Sequence, residues 1–297
     1  DAIRAEFPPG PTTPVLVVAG AGERGRPAAE DYGRRLAALE GVASVSGPEQ
    51  AGGYWIYHVV PERAALSESA KRLVEDVRAL DVPYRVQVGG ETAGFLDQQD
   101  SIGGSLPLAL AILATTTLVI LFAMTGSVVL PFKALLMNLL TVSAAFGLLV
   151  LIFQDGRLEG LLAYESQGAL EATQPVLLFC VAFGLSTDYG VFLLTRIKEA
   201  RDAGLGERES VAVGLERTGR IVTYAALLFC AAIGAFATSE IVFVKELGVG
   251  TALAVLIDAF LVRTLLVPSL MALLGRWNWW APRPLARLHA RLGLQEA

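Results

Sequence analysis

Residues 175–197 read PVLLFCVAFGLSTDYGVFLLTRI, an apolar run long enough to cross a bilayer that carries an aspartate, Asp188, in its interior. About 20 apolar residues in a helix span the roughly 30 Å hydrocarbon core. Four further stretches qualify, at about 107–125, 129–153, 220–238 and 246–274. Helices are the expected form, because lipid offers no partner to an unpaired backbone N–H or C=O. The pattern predicts a polytopic α-helical membrane domain with five spans over residues 101–275.

Composition agrees. The 297 residues are 54% hydrophobic and only 18% charged, against about 25% charged in ordinary soluble domains. Residues 1–100 hold 15 Asp and Glu against 10 Lys and Arg, whereas residues 101–297 hold 14 of each. A single soluble enzyme is excluded as the whole account. Nucleic-acid binding is excluded too, since no dense basic face exists. Cys180 and Cys230 both fall in apolar runs, so neither a disulfide framework nor a zinc site is indicated. No P-loop, GxGxxG, HExxH or GxSxG occurs, so no enzymatic chemistry, metal or cofactor is expected.

Residues 1–100 alternate strand and helix signals: a β-branched run at Val15–Val18, an amphipathic stretch from about Ala28 to Leu39, extended runs near Val42–Ser46 and Tyr54–Val60, a helix pattern over about Ser67–Leu80, and a strand at Tyr84–Val88. The order βαββαβ predicts an α+β, ferredoxin-like subdomain, a fold that by itself names no function. His58 lacks metal-ligand company and reads as structural or surface. Gly89 and Gly90 read as a turn into a helix over about Glu91–Asp100, which leads into the first span.

Arginine and lysine set direction across a membrane. The connection between the third and fourth spans carries Arg196, Lys198, Arg201, Arg208, Arg217 and Arg220; the tail 276–297 carries Arg276, Arg283, Arg287 and Arg291. Both read as cytoplasmic. The connection 154–174 sets Arg157 against Asp155, Glu159, Glu165 and Glu171, and reads as external. Residues 1–100 are then extracytoplasmic. An external head on a chain that starts at Asp1 calls for an earlier span, so the chain reads as a fragment. Residues 207–220 read as an amphipathic surface helix with Val211 and Leu215 on one face, and Trp277, Trp279 and Trp280 as an interfacial aromatic belt. Lys133 and Asn138 lie near the cytoplasmic start of the second span, where a lysine is expected to snorkel to the headgroups.

The charges inside the spans are the informative residues. Asp188 lies about 20 Å along its helix from the external end, and Asp258 and Arg263 interrupt the fifth span. Each costs roughly 2.5–3.5 kcal/mol at mid-helix, so such groups usually face a bundle interior and serve an ion or substrate path. Two uses stay open: a proton relay, or structural pairing between helices. Asp258 and Arg263 are five apart, about 140° around an α-helix, so an interhelical contact of Asp188 with one of them is expected. Tyr189 is placed to donate to a carboxylate on a neighbouring helix. Ser186 and Thr187 read as support for the aspartate, and Thr223 and Tyr224 as lining the same interior.

Residues 184–199, GLSTDYGVFLLTRIKE, resemble the signature of the MmpL branch (mycobacterial membrane protein large) of the RND transporter superfamily. So do 130–138 (LPFKALLMN), 218–222 (TGRIV), 245–250 (KELGVG), 258–263 (DAFLVR) and 273–280 (LLGRWNWW), in that order along nearly the whole chain. The resemblance implies a two-repeat transporter of the bacterial plasma membrane, of which this chain is the second repeat from its external porter loop onward. It implies proton entry coupled to export of lipids or other hydrophobic molecules, with protons as coupling ion and no other cofactor. By the same resemblance Asp188 and Tyr189 are the relay pair of the tenth span, facing an equivalent pair in the missing N-terminal half, and Asp258 and Arg263 hold relay-associated positions in the twelfth. Expected partners are membrane lipids, a lipidic substrate, that missing half and, as an option, further copies in a homo-oligomer. Drug efflux or a protein-export accessory role is the nearest rival. A non-transporting scaffold or sensor is a rival of another class.

Overall fold

A computed structural model describes residues 13–20, 25–166 and 168–291; the outer ends of the predicted head and tail, residues 1–12 and 292–297, lie outside the described residues. The chain divides into two compact units, one made of residues 1–105 with 166–172, the other of residues 106–165 with 173–297.

In the first unit, β1 (Val15–Ala19), α1 (Gly25–Ala37), β2 (Val42–Ala51), β3 (Tyr54–Pro61), α2 (Glu68–Ala79) and β4 (Val86–Gly89) follow one another along the chain. The strands form one antiparallel sheet in the order β2-β3-β1-β4. Alternation decides which face is covered. Val15, Val17 and Ala19 of β1 and Tyr57 and Val59 of β3 point to one side, where they are buried with Ala29, Tyr32 and Leu36 of α1 and Leu73, Val74 and Val77 of α2. Each such aliphatic side chain contributes about 1.5–3 kcal/mol on burial. Ser67 caps α2, its hydroxyl accepting from the Ala70 N–H at 3.3 Å. Gly90 turns the chain out of β4 with φ +102°, where a Cβ would stand 2.9 Å from the Pro14 carbonyl oxygen, so the turn requires glycine. The next helix runs without a break from Glu91 to Thr125.

The second unit holds helices long and apolar enough to cross a membrane. With that first helix, the described residues contain five: Glu91–Thr125, Val129–Gln154, Gln174–Asp202, Glu207–Thr238 and Val242–Trp279, hereafter spans one to five. All but the second run well past the apolar stretches, because flanking polar residues continue the same hydrogen-bonded helix. The predicted surface helix at 207–220 is therefore not separate; it is the first part of span four. Large apolar side chains stand outward, among them Leu108, Phe132, Leu139, Leu228 and Leu273, as lipid-facing surface requires and water would not favour. Small residues let the helices close up: a Cβ on Gly248 would meet the Phe236 Cβ at 2.6 Å and the Ile233 carbonyl oxygen at 2.9 Å.

The end of the bundle where spans one and two meet is tied by a polar knot. Ser127 Oγ accepts from the N–H groups of Val129 and Leu130 and donates to the Asn278 carbonyl at 2.6 Å. Asn278 Nδ2 in turn donates to the carbonyls of Met271 and Gly275 at 2.8 and 2.7 Å. Trp279 Nε1 donates to Glu207 at 3.0 Å, and the same carboxylate receives Arg201 at 3.1 Å. Trp279 thus fastens the loop between spans three and four, whereas Trp277 and Trp280 stay exposed. Residues 283–291 of the predicted tail form a helix whose His289 ring nitrogen sits 3.0 Å from the Ala123 carbonyl oxygen of span one.

Candidate functional site

Three spans bring polar side chains to one buried place. Span two contributes Asn138, span three contributes Ser186, Thr187 and Tyr189, and span five contributes Asp258 and Arg263. Span five changes winding here: Val242–Leu256 is α-helical, but Ile257–Leu266 is π-helical. Hydrogen bonds from i to i+5 widen each turn, so residues five apart come to lie nearly above one another. Asp258 and Arg263 therefore meet within their own helix, Oδ2 to Nη2 at 2.7 Å, both buried. This corrects the expectation of an interhelical contact, which assumed α-helical winding that the π-helical segment does not have.

Around that pair the contacts are short. Arg263 Nη2 also donates to the Ser186 carbonyl at 3.1 Å, and its guanidinium lies 5.4 Å from the centre of the Tyr189 ring, within cation–π range. Ser186 Oγ stands 2.6 Å from Asp258 Oδ1 and 2.6 Å from Asn138 Oδ1. Asn138 Nδ2 donates to Thr187 Oγ1 at 3.0 Å, which turns its carbonyl oxygen toward Ser186.

This chain of contacts admits two complete hydrogen-bond assignments. A hydroxyl has one proton to give, yet Ser186 has an acceptor oxygen at bonding distance on each side. One complete assignment puts a proton on Asp258, which donates to Ser186 while Ser186 donates to Asn138 and Asn138 to Thr187. The other leaves Asp258 ionised and accepting from Ser186; the Asn138 amide then turns over, giving N–H to Ser186 and accepting from Thr187. Both pair Asp258, Ser186, Asn138 and Thr187 with one another, as buried polar groups require. The two assignments run in opposite directions between span five and span two.

The predicted site residues divide. Asp258, Arg263, Ser186, Thr187 and Tyr189 come together. Asp188 does not join them: one position beyond Thr187, it is exposed on the surface of this chain. Thr223 is half-buried and Tyr224 is 65% exposed; neither lines the hollows beside the pair. Asn138, expected near the end of span two, sits in the middle of the cluster. Lys133 is not a snorkelling lysine. It is buried at 7% exposure, because its helix face packs inward against spans three and five.

Residues 51–291 match the sequence model of the MMPL family. A membrane protein of Streptomyces coelicolor is 43% identical over 297 residues, all of this chain and 41% of the relative. The trehalose monomycolate exporter MmpL3 of Mycolicibacterium smegmatis is 43% identical over 232 residues, 77% of this chain and 23% of the exporter. The heme uptake protein MmpL11 of Mycobacterium tuberculosis is 43% identical over 205 residues, 69% of this chain and 21% of that protein. The chain thus spans less than half the length of each of these relatives.

Proposed function

Since this chain belongs to the MMPL family, we propose that it is the C-terminal half of a proton-driven exporter of lipids or other hydrophobic molecules, seated in a bacterial plasma membrane. Its head is read as a ferredoxin-like porter subdomain, supported by the βαββαβ order and the β2-β3-β1-β4 sheet. Residues 166–172, from the acidic connection between spans two and three, belong to the same compact unit as that head. That supports an external position for both, opposite the arginine-rich connections.

The observation that carries the coupling is the Ser186 hydroxyl held 2.6 Å from two acceptor oxygens. Arg263 compensates Asp258 when it is ionised, and the Ser186–Asn138–Thr187 chain accommodates it when it is protonated. The two states reverse the hydrogen bonds that link spans two, three and five, and on this reading a proton arriving from outside biases their packing. A proton descending a membrane potential supplies about 2.3 kcal/mol per 100 mV, enough to shift a two-state equilibrium substantially. Asp188, exposed here beside the cluster, is assigned to the pair that faces the N-terminal half. Purely structural pairing would need only the Asp258–Arg263 contact; it gives no reason for the further chain through Ser186 and Asn138.

The cargo is assigned only as lipidic or hydrophobic, since the named relatives differ in what they carry and in which direction. The test is export by the full-length protein in cells. Collapse of the proton gradient, or Asp188→Asn, is expected to abolish it; export surviving both would refute the coupling.

A further inference from the structure

Beside the Asp258–Arg263 pair lies a hollow with about 50 Å³ of room for the centres of water molecules. A single water needs about 10–15 Å³ by this measure, so the space takes a few waters or one small polyatomic group. Its charged lining residues are Lys133, Asp258 and Arg263. Asp258 is consumed by Arg263 and Ser186. Lys133 Nζ is buried and has no hydrogen-bond partner among the described residues, and the same holds for Nε and Nη1 of Arg263. With Lys133 protonated, the balance is one surplus positive charge and several unanswered N–H donors around an otherwise mostly apolar hollow.

Such a group is costly as it stands. An uncompensated buried charge costs several kcal/mol even after relaxation, and each unanswered donor adds a desolvation penalty. What the hollow lacks is acceptors carrying negative charge, in the form that guanidinium and ammonium groups bind best: the oxygens of a carboxylate or phosphate. The lining near Lys133 also includes Leu121, Met137, Leu194 and Val262, which suit an attached hydrocarbon chain.

We propose that this hollow is an oxyanion-binding site within the membrane domain, in which Lys133 and the free edge of Arg263 hold a carboxylate or phosphate group. Its ligand is distinct from the coupling proton, and its occupancy is measured without any transport assay. The shared chemistry has two sources, an acidic lipid headgroup or a free anion, and the experiment separates them.

The test uses the full-length protein in neutral detergent, with thermal unfolding followed against sodium oleate, inorganic phosphate and uncharged monoolein. Oleate, phosphate or both are expected to raise the melting temperature in a saturable way, and monoolein is not. Oleate alone assigns the site to a lipid headgroup; phosphate acting equally well assigns it to a free oxyanion. Lys133→Met should weaken the effective probe by about tenfold or more, the worth of a charge-assisted bond, while Lys133→Arg should retain it. Should Lys133→Met fail to fold, Lys133→Arg and Lys133→Gln supply the comparison, binding being kept in the first and lost in the second. The proposal is overturned if neither anion stabilises the wild type, as when the N-terminal half fills the site with its own carboxylate. It is equally overturned if the shift persists undiminished without a positive charge at position 133. Neither result bears on proton flux, which is measured separately.

Discussion

Asp258 and Arg263 are joined at 2.7 Å, five positions apart on one helix, because the turn between them is π-helical. An α-helical turn would set them about 140° apart. The rare winding therefore places a compensated charge pair, rather than two isolated charges, in the interior of the bundle. Functional sites are where such π segments are frequently found.

Removing one partner should be worse than removing both. Arg263→Gln leaves Asp258 buried without its counter-charge, and breaking a buried pair in this way costs about 3–5 kcal/mol. The double variant Asp258→Asn with Arg263→Gln keeps hydrogen bonding without a net charge and should recover most of that loss. Thermal unfolding of the three proteins in detergent checks this; a double variant no better than Arg263→Gln would mean the pair is not what holds the segment.

Ser186 carries the link between spans three, five and two. Ser186→Ala takes a donor from one of its two neighbours, Asn138 and Asp258, and an acceptor from the other, an expected loss of about 1–3 kcal/mol. A structural role would show only in stability. The relay reading adds a change in the pH at which proton uptake is half-maximal, measured in vesicles containing the full-length protein. An unaltered pH profile with lowered stability would leave Ser186 as packing alone.

The head has its own pH dependence. Tyr32 is 1% exposed and its hydroxyl has no hydrogen-bond partner among the described residues. Burial, with Tyr84 nearby, pushes its pKa from the ordinary 10.0 up to about 12. Tyr57, whose hydroxyl donates to the Ala29 carbonyl at 2.8 Å, is raised further for the same reason. The folded state thus favours neutral tyrosine. That stabilisation is complete below the unfolded value near 10 and is lost as pH rises toward and through the folded value near 12. Circular dichroism against pH should show the sheet unfolding in this alkaline window, and Tyr32→Phe should move the transition upward. A transition unmoved by Tyr32→Phe would assign it to another group.

Periodicity made the membrane helices legible, because a span must be apolar for its whole length whatever it packs against. The head was legible from alternation: Val15, Val17 and Ala19 face inward as a half-buried strand requires. The site was legible only in part. Asp258 and Arg263 stand out as charges in oil, but their pairing depends on a local change of helical winding that side-chain spacing does not encode. Asn138 and Lys133 looked like residues of a span's end, since nothing in the sequence says which way a helix is rotated about its axis. Trp279 looked like a member of an aromatic belt, yet its indole N–H is spent on Glu207, a partner 72 positions away. Such contacts come from tertiary packing alone.

On the proposed reading, protons move through this cluster. The most direct measurement is proton uptake into vesicles reconstituted with the full-length protein, driven by an imposed gradient and followed with an internal pH-sensitive dye. Wild type should acidify the lumen, while Asp258→Asn and Asp188→Asn, correctly inserted and folded, should not. Acidification at the wild-type rate in both variants would contradict the relay and leave the charges as structural pairing.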